Sequence, residues 1–219
     1  MKIFLDTANR ELIEKWIPTG IIDGVTTNPS LLSKEGKNSK KVLENICGIV
    51  KGDVSIEIVK KEPNEVYKQA IQISKIAPNV VVKIPFAWEY LSVINKLVKD
   101  GIKINVTLIF SVVQATLVSK LGVKYISPFI GRWDDIDRDG MDVIENLVIM
   151  KHNYGFKSEI LAASIRHVIH LQKSILMGAD VATIPPTLLD KLMVHPLTQQ
   201  GIKKFDADWS KLEKEDLFD

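Results

Sequence analysis

Eight short runs rich in β-branched residues recur along the chain, and a longer amphipathic stretch separates each run from the next. This alternation is typical of repeated strand-helix units that build a parallel sheet. Gly101 and Gly122 each follow a helical pattern and precede a strand, as expected where helices end. The predicted strands occupy residues 2–7, 24–28, 54–59, 79–84, 103–108, 124–130, 159–164 and 179–184.

Eight such units within 219 residues predict one closed (β/α)8 TIM barrel, so we expect residues 1–219 to form a single domain. The alternative is a doubly wound open sheet. That fold ordinarily has a glycine-rich turn after its first strand, whereas this chain has Asp6-Thr7-Ala8-Asn9 there. The sequence therefore favours the barrel.

An additional C-terminal helix is predicted within residues 195–219, after the eighth unit. Ile202, Phe205 and Trp209 recur there at helical spacing. The pattern alone leaves open whether this helix packs on its own barrel or docks on a neighbouring subunit.

Charge and cysteine content narrow the function classes. Lys and Arg total 29 against 27 acids, and a net charge of +2 provides no field for nucleic acid or an anionic membrane. The single cysteine, Cys47, excludes an internal disulfide and is expected to be a packed helical thiol. The apolar stretch at Met1 is too short for a signal peptide, and no run approaches membrane-spanning length. We expect a cytoplasmic protein with a small-molecule substrate.

Lys83 lies in the apolar run Asn79-Val80-Val81-Val82-Lys83-Ile84-Pro85. Such a strand is covered on both faces, so its lysine points into protein unless it reaches solvent at the strand end. A buried ammonium must find a carboxylate or lose its proton. Lys83 is therefore a candidate nucleophile.

Polar residues stand at the carboxyl ends of seven successive predicted strands, which is where barrel enzymes hold their active sites. Because side chains alternate along a strand, Thr26 and Asn28 share a face, as do Asn105 and Thr107. Branched apolar residues normally fill a barrel, so this set indicates a site. The set comprises Asp6, Thr26, Asn28, Glu57, Lys83, Asn105, Thr107, Ser127 and Ser164.

A neutral lysine amine attacks a ketone to give a Schiff base, whose protonated nitrogen accepts electrons when the adjacent carbon-carbon bond breaks. One carboxylate must then move a proton at the cleaved bond, and another must help water leave the carbinolamine. Asp6 and Glu57 are the acids in the set.

Two of the four arginines, Arg132 and Arg166, follow the sixth and seventh predicted strands. Loops late in a barrel frequently hold phosphate, and arginine offers phosphate two donors, so the pair favours an anionic substrate over separate salt bridges.

His167 and His170 share a helical face, but two ligands without a third are weak evidence for metal. We expect neither a metal nor a cofactor.

Five motifs resemble those of the short transaldolases, in order and over nearly the whole chain. The resemblance implies a (β/α)8 enzyme of the pentose phosphate pathway that uses a Schiff base. Such an enzyme moves dihydroxyacetone from sedoheptulose 7-phosphate to glyceraldehyde 3-phosphate, giving erythrose 4-phosphate and fructose 6-phosphate. The motifs are Phe4-Leu5-Asp6-Thr7-Ala8-Asn9, Gly24-Val25-Thr26-Thr27-Asn28-Pro29, Val82-Lys83-Ile84-Pro85, Ser127-Pro128-Phe129-Ile130-Gly131-Arg132 and Ala163-Ser164-Ile165-Arg166.

The resemblance also implies a role for each site residue. Lys83 would form the Schiff base, Asp6 would carry the proton at the cleaved bond, and Glu57 with Thr107 would hold the catalytic water. The residues implied for the dihydroxyacetone hydroxyls are Asn28, Asn105 and Ser127. Those implied for the phosphate are Arg132, Ser164 and Arg166.

The same family contains fructose-6-phosphate aldolases, in which a glutamine resembles the position of Glu57 and a tyrosine that of Phe129. This chain has the transferase pair, and without a phenol beside the Schiff base the carbanion should be protonated poorly. The alternatives are an aldolase that releases free dihydroxyacetone and, from another class, a non-catalytic barrel that binds sugar phosphates.

Family members assemble as pentamers or decamers with the last helix against a neighbour, so the resemblance implies a homo-oligomer. One departure stands out. The family usually has a methionine, a threonine and then a glycine after Ile84-Pro85, whereas this chain has Phe86-Ala87-Trp88-Glu89-Tyr90. We expect the loss of a threonine helix cap there and added bulk near Lys83, with an effect on donor preference.

Overall fold

The computed structural model describes residues 1–36 and 38–211. Within these residues, eight parallel strands pair in chain order and close into a barrel, because β8 also pairs with β1. Each strand overlaps one predicted run, so the predicted TIM barrel is confirmed. The strands are β1 (Lys2–Asp6), β2 (Gly24–Thr26), β3 (Asp53–Glu57), β4 (Val80–Pro85), β5 (Ile104–Ile109), β6 (Tyr125–Pro128), β7 (Glu159–Ala162) and β8 (Val181–Ile184).

Helices separate the strands, and short 3-10 helices occupy Ile17–Thr19, Ser33–Glu35 and Trp88–Tyr90. Gly101 and Gly122 have positive φ angles of 80° and 78° just beyond two helices, as predicted. The α-helices are α1 (Arg10–Trp16), α2 (Pro29–Leu32), α3 (Ser39–Ile49), α4 (Pro63–Ser74), α5 (Leu91–Lys99), α6 (Val112–Ser119), α7 (Gly131–Asp134), α8 (Met141–Tyr154), α9 (Val168–Met177), α10 (Pro186–Leu192) and α11 (Pro196–Trp209).

An apolar layer that includes Phe4, Val81, Tyr125, Leu161 and Val181 fills the barrel interior. The Phe4 ring meets Tyr125 edge to face, with ring centroids 5.8 Å apart. A Cβ at Gly24 would lie 2.6 Å from the Phe4 ring, so a glycine is needed opposite this ring. Side-chain alternation brings the residues two positions further along to the carboxyl ends of the strands. On four of these five strands that residue is polar, namely Asp6, Lys83, Ser127 and Thr183, and on β7 it is Ala163.

Charged groups occupy the start of the strands. Asp53 accepts a hydrogen bond of 2.7 Å from the Tyr125 hydroxyl and pairs with the ammonium groups of Lys124 and Lys103. These contacts lower the pKa of Asp53 although burial opposes them. A hydrogen-bonded ion cluster therefore stabilises the inner end of the barrel, where the strands begin.

One compact unit covers Met1–Pro186, and a second begins at Thr187. The predicted C-terminal helix is present as α11, and Leu197, Ile202, Phe205 and Trp209 on it are all exposed. Residues 212–219 of the predicted extension lie outside the described residues. No helix in residues 1–36 and 38–211 combines the length and hydropathy needed to span a bilayer.

Candidate active site

Lys83 is buried, with 5% of its surface exposed, and its side chain lies inside the barrel. Its Nζ is 3.0 Å from Oε2 of Glu57, which is its register partner on β3, and donates a 3.3 Å hydrogen bond to the Thr27 carbonyl. Nζ also lies 6.0 Å from the centre of the Phe129 ring. The amine of Lys83 thus has a carboxylate directly beside it, and the lysine side chain does not extend to bulk solvent.

Asp6 is the second acid of the site. Its Oδ1 accepts a 2.9 Å hydrogen bond from the Thr26 hydroxyl, which lies 2.5 Å from the Thr183 hydroxyl. Burial raises the pKa of Asp6, an effect that the charge of Lys83 and the Thr26 hydrogen bond oppose. A carboxyl group with a raised pKa beside a buried amine is suited to taking and returning a proton.

A cavity of about 590 Å³ opens around Lys83, which is within the usual size of a small-molecule site. All the predicted site residues except Asn105 line it. The lining ones are Asp6, Thr26, Asn28, Glu57, Lys83, Thr107, Ser127, Phe129, Arg132, Ser164 and Arg166.

Thr107 lies on β5 where the register with β6 shifts between Val106 and Ile109. Its Oγ1 is buried and has no hydrogen-bond partner among the described residues. Such an atom needs a partner from solvent or substrate. It is therefore a place where the cavity can hold a water molecule or a hydroxyl group.

The two arginines reach the cavity from different elements. Arg132 lies on α7, and Arg166 follows β7 two residues after Ser164, which has a positive φ of 58°. The Arg166 guanidinium donates hydrogen bonds of 2.5 and 2.8 Å to the two oxygens of Asp135. Two arginines thus line a cavity whose other charged lining groups, among the described residues, are the amine of Lys83 and the carboxyl groups of Asp6 and Glu57.

Comparison with known proteins identifies the family. The model of the Transaldolase/Fructose-6-phosphate aldolase family matches residues 3–216. The chain belongs to this family. It is 52% identical over 209 residues to a probable transaldolase of Methanococcus vannielii, covering 95% of this chain and 97% of that protein. A probable transaldolase of Thermodesulfovibrio yellowstonii is 49% identical over 214 residues, covering 98% of this chain and 100% of that protein. The resemblance is confirmed, and these names support a transaldolase-type aldolase enzyme.

Asn105 differs from the other predicted site residues of this transaldolase-family chain. It is fully buried and does not line the cavity. Its amide donates a 3.2 Å hydrogen bond to the Ser55 hydroxyl, and its Oδ1 accepts a 2.7 Å hydrogen bond from the Ser127 hydroxyl. Both ends of the amide are thus occupied, and Asn105 fixes the hydroxyl of Ser127, which does line the cavity.

Sequence reasoning missed residues that line the cavity of the candidate site, among them Thr183 and Leu108. Thr183 lines the cavity and bonds Thr26, and it stands at the end of β8, so the strand-end pattern that identified Asp6 could have found it. Leu108 also lines the cavity, with a positive φ of 57° where β5 shifts register. Leucine rarely adopts a positive φ, so the residue types of this segment do not predict the bulge.

The departure from the family pattern after Pro85 does not reach the site. None of residues 86–90, all of which are described, lines the cavity, and Trp88 is 82% exposed. The added bulk therefore does not enter the cavity, and the 3-10 helix Trp88–Tyr90 carries the indole of Trp88 to the surface. The lost cap is confirmed, since Ala87 precedes this helix without a side-chain cap.

Asp134, His167 and His170 lie close together beside the arginines, with ligand atoms within 4.8 Å of one another. Nδ1 of each histidine accepts a backbone N–H, from Arg166 for His170 and from His170 for His167. In the neutral form of either ring the proton is therefore on Nε2, and Nε2 lies 3.0 Å from Oδ2 of Asp134 in His170 and 3.8 Å from it in His167. This protonation favours a hydrogen-bonded cluster over metal ligation through Nε2. Burial lowers the pKa of His170.

Proposed function

We propose that this chain is a transaldolase, which transfers dihydroxyacetone from sedoheptulose 7-phosphate to glyceraldehyde 3-phosphate in the pentose phosphate pathway. Erythrose 4-phosphate and fructose 6-phosphate are the products. The observation that carries the proposal is the pairing of Lys83 with a glutamate, Glu57, at 3.0 Å, with an aromatic ring without a hydroxyl, Phe129, beside the amine.

The first stage joins the donor to the enzyme. The neutral Lys83 amine attacks the donor carbonyl carbon, and the carbinolamine loses its hydroxyl as water to give the protonated Schiff base. Glu57 supplies the proton to the departing hydroxyl through a water held with Thr107. The partnerless Oγ1 of Thr107 supports this role, because it offers the water a second anchor.

The second stage breaks the carbon-carbon bond. Asp6 takes the proton of the donor hydroxyl next to the cleaved bond, the aldehyde leaves, and the electron pair moves into the Schiff base. The resulting enamine then attacks the acceptor aldehyde, and Asp6 returns the proton to the new hydroxyl. The raised pKa of Asp6 supports both directions of this transfer.

Binding is divided between the two sides of the cavity. Asn28 and Ser127, with Asn105 behind Ser127 and Thr26 beside Asp6, would hold the hydroxyls of the dihydroxyacetone unit. Asn28 already accepts the Leu31 backbone N–H through Oδ1, so its amide N–H groups remain for substrate. The phosphate would lie at Arg132, Ser164 and Arg166.

The second candidate reaction is fructose-6-phosphate aldolase, which releases dihydroxyacetone. The glutamate at Glu57 and the ring of Phe129 favour transfer, because a phenol that could protonate the enamine is missing from that ring. A sugar-phosphate-binding barrel without catalysis is the third candidate. The buried amine and carboxylate favour an enzyme, since binding alone does not require either group to leave water.

Assembly into a pentamer or decamer is part of the proposal. The exposed apolar side chains of α11 support a second copy of this chain as the partner of that helix. A cytoplasmic location is also proposed, supported by the single, buried thiol of Cys47.

Trapping with borohydride tests the enzyme proposal. Fructose 6-phosphate plus borohydride should leave a reduced three-carbon or six-carbon adduct on Lys83, seen by mass spectrometry of the Lys83 peptide. Lys83→Met should abolish both the adduct and activity. Lys103, which precedes β5 and lies outside the cavity lining, provides the control, and Lys103→Met should keep the adduct. An unmodified Lys83 in active wild-type protein would show that the Schiff-base mechanism is wrong.

A further inference from the structure

The carboxylate of Asp135 binds both arginines of the cavity. It caps the end of α7, and its two oxygens accept hydrogen bonds of 2.5 and 2.8 Å from Nη1 and Nη2 of Arg166. Its Oδ2 lies 3.6 Å from Nη1 of Arg132. Asp135 and Arg166 are 31 residues apart, so the contact depends on the fold rather than on a local turn.

The contact occupies the edge of Arg166 that a ligand would use. A Cβ added to Gly131 would lie 2.6 Å from Nε and 2.8 Å from Cδ of Arg166, so the first residue of α7 covers the Nε side of the guanidinium. The opposite edge, formed by Nη1 and Nη2, presents the parallel pair of donors that carboxylates and phosphates bind. Asp135 already holds that pair.

Asp135 competes with phosphate for the two arginines as an anion. The Arg166 hydrogen bonds and charge, with a smaller contribution from Arg132, hold the pKa of Asp135 below its usual value. It therefore stays ionised near neutral pH. The adjacent Asp134 faces the two histidines instead, so the two acids of this turn serve different partners.

We propose that Asp135 is a counter-anion that sets the affinity of the site for phosphate. It binds Arg132 and Arg166 in the empty site, and the phosphate of the substrate displaces it. The proposal rests on the transaldolase function proposed above. An internal anion lowers the affinity of the arginines for phosphate. It also recaptures them when a phosphorylated product leaves, and so favours release.

Binding of inorganic phosphate to the full-length protein, measured by calorimetry, tests this directly. Asp135→Asn removes the charge and should tighten phosphate binding about two- to fivefold, the range for a partly exposed ion pair. The KM for fructose 6-phosphate should fall by a similar factor while kcat does not rise. Asp135→Glu keeps an anion within reach and should restore the wild-type values.

Asp139 provides the matched control, because it lies in the same turn and is ion-paired, but with Lys173 at 2.7 Å. Asp139→Asn should leave phosphate binding and KM unchanged. Weaker or unchanged binding in Asp135→Asn, or equal tightening in Asp135→Glu or Asp139→Asn, would overturn the counter-anion. If the wild-type protein transfers no dihydroxyacetone yet Asp135→Asn binds phosphate more tightly, the counter-anion stands and the proposed reaction fails.

Discussion

The hydroxyls of Thr26 on β2 and Thr183 on β8 lie 2.5 Å apart, across β1, which pairs with both strands. Thr26 gives its proton to Asp6, so the Thr183 hydroxyl is the donor within the pair. The two threonines therefore form a chain of donors that ends on the Asp6 carboxylate. Such a chain stabilises the ionised form of Asp6 against the burial that raises its pKa.

Thr26→Val should raise the pKa of Asp6 further, because the variant removes the hydrogen bond to its ionised form. Asp6 must be ionised to accept the donor hydroxyl proton, so activity falls as pH drops through this pKa. The acid limb of the kcat/KM profile should therefore move to higher pH, and Thr183→Val should move it less. Thr116→Val, on the barrel exterior in α6, is the control. An unmoved acid limb in Thr26→Val would mean that Asp6 is not the base.

Phe129→Tyr should convert the enzyme partly into an aldolase. In the wild type, fructose 6-phosphate alone should turn over slowly, and adding erythrose 4-phosphate should accelerate its consumption by about 100-fold or more. A phenol beside Lys83 should protonate the enamine and raise release of dihydroxyacetone without acceptor by about 10-fold or more.

Phe110→Tyr is the control for this change, because the Phe110 ring packs edge-on against Phe129 at 6.3 Å but does not line the cavity. It should leave dihydroxyacetone release at the wild-type rate. Equal consumption of fructose 6-phosphate with and without the acceptor would favour the aldolase candidate.

Arg132→Ala should reduce kcat/KM for phosphorylated donors about 10- to 150-fold, which corresponds to about 1.5 to 3 kcal/mol for one charge-assisted hydrogen bond. Unphosphorylated fructose should lose much less. Borohydride trapping of dihydroxyacetone on Lys83 should survive, because this ketone has no phosphate. Arg138→Ala, in the turn after α7 but outside the cavity lining, is the control. Equal losses for both donors in folded Arg132→Ala would show that the phosphate site lies elsewhere.

Asp53→Asn should destabilise the barrel by about 1 to 3 kcal/mol in urea unfolding at neutral pH, because Tyr125 and Lys124 lose a charged acceptor. Asp53 has a lowered pKa, so its contribution is present above the unfolded pKa, near 3.8, and is lost as pH falls through the lower folded pKa. The difference from wild type should therefore shrink only once the pH falls below about 3.8.

Asp100 provides a matched control for Asp53, since it also accepts a 2.7 Å hydrogen bond from a tyrosine, Tyr67, but at the surface. Asp100→Asn should lower the free energy of unfolding by less than about 1 kcal/mol. Equal costs at the two positions would mean that the inner cluster adds nothing to stability beyond a surface contact.

Phe205→Asp should reduce the size of the assembly in light scattering, because a charge on an exposed apolar position of α11 opposes docking on a second copy. Gln200→Asp, at an exposed polar position of the same helix, controls for the added negative charge. If Phe205→Asp and wild type scatter alike, α11 is not the contact between subunits.

The sequence predicted the barrel and most of its site for one physical reason. Strand alternation fixes which side chains face inward, and parallel strands bring their carboxyl ends to one edge, so Asp6, Glu57 and Lys83 could be placed without coordinates. The same rule places Asn105 on the inward face but does not predict how deeply its side chain is buried. In the structure Asn105 lies behind Ser127 and does not line the cavity.

Other features depend on contacts that no spacing rule encodes. Leu108 lines the cavity because β5 shifts register, and a bulge adds a residue without a composition signal. Asp135 meets Arg166 only after β6 and β7 have placed their following turns side by side. The exposure of Trp88 depends on the 3-10 helix that carries it, which the residue types after Pro85 did not reveal.

The filled interior beneath Lys83 has a kinetic consequence. Phe4, Tyr125 and the Asp53 cluster close the inner end of the barrel, so among the described residues the cavity opens only at the ends of the strands. In a transfer reaction the first aldehyde must then leave by the opening through which the second enters. Initial rates measured at several acceptor concentrations should give parallel double-reciprocal lines, and the departing aldehyde should inhibit competitively against the arriving one.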